Sequence, residues 1–83
     1  MQEKNLKSLR NQIDLIDDQL LDLIVRRSSI VDTIGTFKKD SDSIIDKNRE
    51  AEVISRLLNL HEGNFSKDSI VRIWREIFYT SSN

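Results

Sequence analysis

The chain has 83 residues, enough for one domain over residues 1–83 and only a modest core of its own. Thirteen Lys and Arg against fourteen Asp and Glu leave a formal charge of -1, without the positive excess of a phosphate-backbone binder, so no nucleic-acid partner is expected. With no Cys and with His61 as the sole histidine, the sequence excludes disulfides, thiolate metal ligands and Cys nucleophiles, and neither a transition-metal site nor a Ser-His-Asp triad is expected.

The opening "MQEKNLKSLR" lacks the apolar stretch of a signal peptide, and no apolar run approaches the ~20 residues of a membrane span. The expectation is a cytoplasmic protein without a membrane or cofactor. There is no Pro, and Gly occurs only at positions 35 and 63, a composition that favours helix almost throughout and makes an all-α fold the expectation.

Leu6, Leu9, Ile13, Ile16, Leu20, Ile24, Val31 and Ile34 recur at helical spacing and predict one amphipathic helix over about residues 5–39. Gly35 costs roughly 1 kcal/mol relative to Ala in a helix interior, too little to end it, and its absent side chain suits close approach of a backbone or ligand. The stretch "DSDSII" reads as a loop. Asp46 is a fitting N-cap for a second helix over 46–62, with Val53, Leu57 and Leu60 on its apolar face, Ile54 and Leu58 at the margin, and Gly63 closing it. Ser66 caps a third helix over 66–82 that carries Ile70, Ile73, Trp74, Ile77 and Phe78.

At ~1.5 Å per residue the first helix is about 50 Å long, whereas a compact globule of this size is roughly 30 Å across. The two shorter helices cover part of its stripe. The rest calls for another copy of the chain, so the expected assembly is an intertwined homodimer with antiparallel first helices. A bent or frayed helix in a monomer is the alternative, although no Pro marks a kink.

Charge interrupts these stripes. Arg27 and Lys38 fall within about 40° of the first stripe's centre, beside Val31 and Ile34. One turn before Val53 stand Arg49 and Glu50, and one turn beyond Ile77 and Phe78 stands Ser81. An unpaired buried cation costs several kcal/mol, so the cations at these positions require compensation, by a protein carboxylate or an anionic ligand. Taken singly, each has an ordinary explanation. Arg10, Arg27 and Arg49 suit ion pairs with Asp14, Asp17 or Asp18, Lys38 and Glu50 suit the helix dipole, and Asp46 needs no ligand to be a cap. His61 reads as a surface residue and Trp74 as core.

The conjunction points further. Arg27, Lys38, Arg49, Glu50 and Ser81 meeting in one cavity would set three cations against one carboxylate, which suits a compact dianion. Arg27 and Lys38 are about 16 Å apart along the axis, room for one small molecule between their side chains. Arg10 lies about 25 Å from Arg27 in the same helix, so only the Arg10 of an antiparallel partner reaches that site.

"LRNQIDLIDDQLLDLIVRRSSIVDTIGTFK" and "IIDKNREAEVISRL" together resemble the all-helical, AroQ-type chorismate mutases, with an LRxxIDxID opening and a D-x-x-R-E start to the second helix, over about residues 6–82. The resemblance implies an intertwined three-helix dimer that rearranges chorismate, a compact dicarboxylate, to prephenate on the way to phenylalanine and tyrosine. It implies that Arg27 and the partner's Arg10 bind carboxylates, that Lys38 meets a carboxylate and the ether oxygen, and that Arg49 supports the carboxylate end. Asp46 and Glu50 would hold the ring hydroxyl, and Ser81 would add a hydrogen bond. Isochorismate pyruvate lyases share this fold, and a non-catalytic helical dimerisation or regulatory domain is the reading from another class. The family usually places a Gln or Glu one turn beyond the serine, which would be position 85, whereas the sequence ends at Asn83; either the sequence is truncated, or the implied enzyme lacks that group and is slow, or its end is built differently. The loop is also about one residue short, with Ser43 where a proline is common.

Overall fold

The structure is a computed structural model that describes residues 3–37 and 47–80. These form three helices, α1 (Glu3–Phe37), α2 (Lys47–Leu60) and α3 (Lys67–Thr80), with no strand among the described residues. The all-α expectation holds.

The ends differ a little from the reading of the sequence. α1 begins two residues earlier, at Glu3. α2 stops at Leu60, where the His61 amide donates to the Leu57 carbonyl at 2.9 Å and closes the last turn. Gly63 then takes φ +95°, the left-handed conformation that glycine adopts without a Cβ penalty, and the chain reverses there. Ser66 starts α3 as its cap: its hydroxyl accepts from the Ser69 amide at 3.3 Å and its carbonyl from the Ile70 amide at 3.1 Å. Lys67 is therefore the first helical residue. The cap assigned to Asp46, the "DSDSII" loop and the helix ends at 38–39 and 81–82 lie outside the described residues.

α2 and α3 lie against each other, joined by the short Gly63 turn. α1 shares grooves with them only over its C-terminal half, between Leu20 and Ile34. Burial follows from this layout. Among the described residues Val31 of α1, Val53 of α2 and Phe78 of α3 are the buried apolar ones, one from each helix. Leu57, Ile54, Leu58, Ile70 and Ile77 are half-buried. Leu60, assigned to the apolar face of α2, is exposed. Trp74 is half-buried, not fully core, and His61 is half-buried, not on the open surface.

The front half of the α1 stripe is uncovered: Ile13 and Ile16 are 55% and 53% exposed, and Leu6, Leu9 and Leu20 are exposed as well. The molecule measures 59 × 23 × 17 Å with a radius of gyration of 16.7 Å, against the ~12 Å of a compact chain of this length. Its accessible surface is 7234 Å², where roughly 5,100 Å² is usual for a folded monomer of this mass. Apolar surface that a monomer hides is here on display. No helix among the described residues is both long and apolar enough to cross a membrane, because α1 interleaves charge throughout.

Among the described residues nothing outside its own helix backbone approaches Gly35: a Cβ built there meets no such atom within 4 Å. The close approach expected at this glycine is absent between these three helices. Gly35→Ala is accordingly expected to raise stability by about 0.5 to 1 kcal/mol in urea denaturation, through helix propensity alone. A loss of stability would mean that a neighbouring chain packs against this position.

Candidate anion-binding site

The α1 periodicity that makes the stripe also aims Arg27, Val31 and Ile34 along one side of the helix, toward α2. From α2, Arg49 and Val53 face back, four residues apart and so on the same side. Together with Leu23, Arg26, Ile30, Arg56, Leu57 and Trp74 they line a groove of about 470 Å³. That volume suits one small organic molecule. Among the described residues its lining is otherwise mostly apolar and its charged groups are all arginines, an arrangement matched to an anion with an apolar body.

The electrostatics of Arg27 agree. Its side chain is half-buried, and its guanidinium carbon lies 5.5 Å from the centre of the Phe78 ring. Loss of water on burial, and then repulsion from Arg49, hold its pKa below the usual arginine range. The charge is thus disfavoured by its surroundings, and an anion in the groove would relieve both causes. Arg49 itself reaches Glu52 at 3.9 Å in an exposed pair that contributes little to stability.

Glu50 points into an adjoining hollow of about 270 Å³ with Lys47, Arg75, Phe78 and Tyr79. Its side chain is only 15% exposed, and Lys47 Nζ lies 3.7 Å from its Oε1. Phe78 therefore meets Arg27 and borders the Glu50 hollow as well. A third hollow, of about 500 Å³, lies between α1 and α3 and is lined by Leu20, Leu23, Ile24, Phe65, Ile70, Ile73, Trp74 and Ile77, with Arg27 the one charged residue among the described ones. It offers an orienting group only at one edge and suits an apolar side chain better than a polar ligand.

Of the residues singled out in the sequence, Arg27 and Arg49 meet in one groove and Glu50 stands in the next hollow, so the single cavity anticipated is divided among these three. Arg10 is exposed on the distant half of α1 and joins none of these groups within the chain. Lys38, Asp46 and Ser81 lie outside the described residues. The sequence reading missed Phe78 as part of the site, and also Arg26 and Arg56 at the groove. Phe78 had been taken only as one of an apolar series, and nothing in that series says which member meets Arg27.

The comparisons with known proteins speak to this geometry. The family model of chorismate mutase type II matches residues 9–83. The chain belongs to that family. Among curated relatives, the bifunctional chorismate mutase/prephenate dehydratase of Aquifex aeolicus (strain VF5) is 34% identical over 79 residues, covering 89% of this chain and 22% of the relative. The protein of the same name from Stutzerimonas stutzeri is 31% identical over 78 residues, 87% of this chain and 21% of the relative. That of Pseudomonas aeruginosa is 28% identical over 81 residues, 90% and 22%. The chain thus spans about a fifth of the length of these relatives. No solved structure matches it with significance. Membership bears out the resemblance read from "LRNQIDLID" and "DKNRE".

The depressed pKa of Arg27 carries a sign for stability. Because the folded chain holds this proton less tightly than the unfolded one, the charged side chain works against folding at neutral pH, and the penalty lifts only once pH rises past its folded value. Arg27→Met is therefore expected to leave the melting temperature of the ligand-free protein unchanged or raised, as read by circular dichroism, while removing anion binding. A drop of several degrees would mean that Arg27 serves as a structural ion-pair partner.

Proposed function

We propose that this chain is a chorismate mutase, catalysing the rearrangement of chorismate to prephenate in a site shared between two copies. The observation that carries the reading is the pair Arg27 and Arg49 on the apolar groove between α1 and α2, in a chain of this family. Chorismate brings two carboxylates and an apolar ring. Arg27 takes one carboxylate and Arg49 supports that end, with Arg10 supplied by the partner. Lys38 meets a carboxylate and the ether oxygen. Asp46 and Glu50 hold the ring hydroxyl, and Ser81 adds a hydrogen bond.

The reaction is pericyclic: the ether C–O bond breaks as a C–C bond forms within one molecule, and no proton changes hands. Catalysis then consists of holding the folded-over conformer and of stabilising the negative charge that grows on the ether oxygen. Lys38 is the donor for that oxygen.

The dimer follows from surface and length. An excess of roughly 2,100 Å² over a compact monomer is of the size that obligate interfaces bury. The uncovered stripe from Leu6 to Leu20 is where such an interface would lie, and antiparallel pairing of α1 carries Arg10 of one chain toward Arg27 of the other.

Incubation with chorismate and, separately, isochorismate tests the activity. Prephenate is the expected product, and salicylate with pyruvate, or no turnover of either substrate, would overturn the reading. Lys38→Ala is expected to lower kcat on the order of a hundredfold or more. Near-normal turnover would remove Lys38 from the mechanism. The shared site has its own test in mixtures of two inactive variants. Arg10→Ala and Lys38→Ala chains, unfolded and refolded together in equal amounts, should regain about a quarter of wild-type activity, since half the dimers then hold one intact site of two. No recovery would place Arg10 in the same chain's site or outside the site altogether.

A further inference from the structure

We infer that Phe78 is a positioning residue for Arg27, its buried ring holding the guanidinium in the groove so that the cation is already in place when a dianion arrives. The inference rests on the mutase reading for its kinetic consequence and on the geometry for its contact. The guanidinium carbon stands over the ring at 5.5 Å from the centroid, inside the range at which a cation is drawn to the negative face of an aromatic ring. The ring is only 7% exposed and comes from α3, whereas Arg27 comes from α1, so the contact ties together two helices that bound the site.

The choice of a ring has a chemical reason. Arg27 has a long side chain with many rotamers, and its surroundings disfavour its charge through lost water and the neighbouring Arg49. The face of a ring attracts the guanidinium without neutralising its charge. The same ring also borders the hollow that contains Glu50, so its position bears on both the cationic and the acidic side of the site.

The test replaces Phe78 alone by phenylalanines bearing one, two, three and five ring fluorines, which weaken the negative face with little change in shape, beside Phe78→Leu. With chorismate, KM should rise stepwise along the series to about tenfold at the last member, with kcat within about twofold and the melting temperature constant, because a binding cation acts on ground state and transition state alike. Phe78→Leu should match the last member in KM if it folds, and the fluorinated chains decide the question if it does not. A flat KM along the series, or a loss that tracks melting temperature, would overturn the inference and reduce Phe78 to packing. The proton on Arg27 Nε supplies a readout without turnover: its NMR shift should move with each fluorine, and no movement would overturn the contact itself. A wild type inert toward chorismate would end the mutase reading, and that proton would still decide whether the ring holds the guanidinium.

Discussion

The structure depends on a mismatch of length. α1 runs for 35 residues without a break, and the two helices that follow have 14 each. Two short helices laid against one end of a long one can cover only that end, and the described residues accordingly bury one apolar side chain per helix. The arrangement is also what frees an interior position for charge. Where α1 does meet α2 and α3 there is enough shelter to withdraw Arg27 partly from water but not enough packing to fill the space beside it, and the groove of about 470 Å³ is that unfilled space.

Within the groove the balance between cost and use is visible in Arg27. Burial and Arg49 both act against its charge, which is an expense in the empty protein and an advantage once an anion enters. Perturbation of a charged group by desolvation and by a like neighbour, in a groove of ligand size, is a pattern found at functional sites. Contrast the exposed pairs Asp22–Arg26 at 3.7 Å and Arg49–Glu52 at 3.9 Å, where water screens the interaction and little depends on it.

Much of this was legible in the residues. A period of 3.6 is a local property, so the Leu6-to-Ile34 stripe, the Ser66 cap and the Gly63 turn all follow from neighbours in sequence. Arg27 and Arg49 were legible because a charge on an apolar stripe is an exception to a regular pattern. The contact between Arg27 and Phe78 was not, because it depends on how α3 rotates against α1, and the pattern of α3 admits several of its apolar residues at that place. The same limit accounts for Leu60, Trp74 and His61. A stripe says which side of a helix seeks cover, but where the cover runs out is decided by the lengths of the other helices.

The pairing of α2 with α3 has a consequence for how the chain acquires its structure. Their turn is short, its glycine already has the conformation it needs, and Ser66 caps the second arm, so this hairpin closes through contacts between near neighbours in sequence. α1 has no such help, because among the described residues the apolar side chains of its front half stay exposed. With the assembly proposed above, the local hairpin forms within each molecule on its own, and the slow step is an encounter between two molecules. Recovery from denaturant would then quicken as protein concentration rises, so the speed of folding would depend on abundance as well as on sequence.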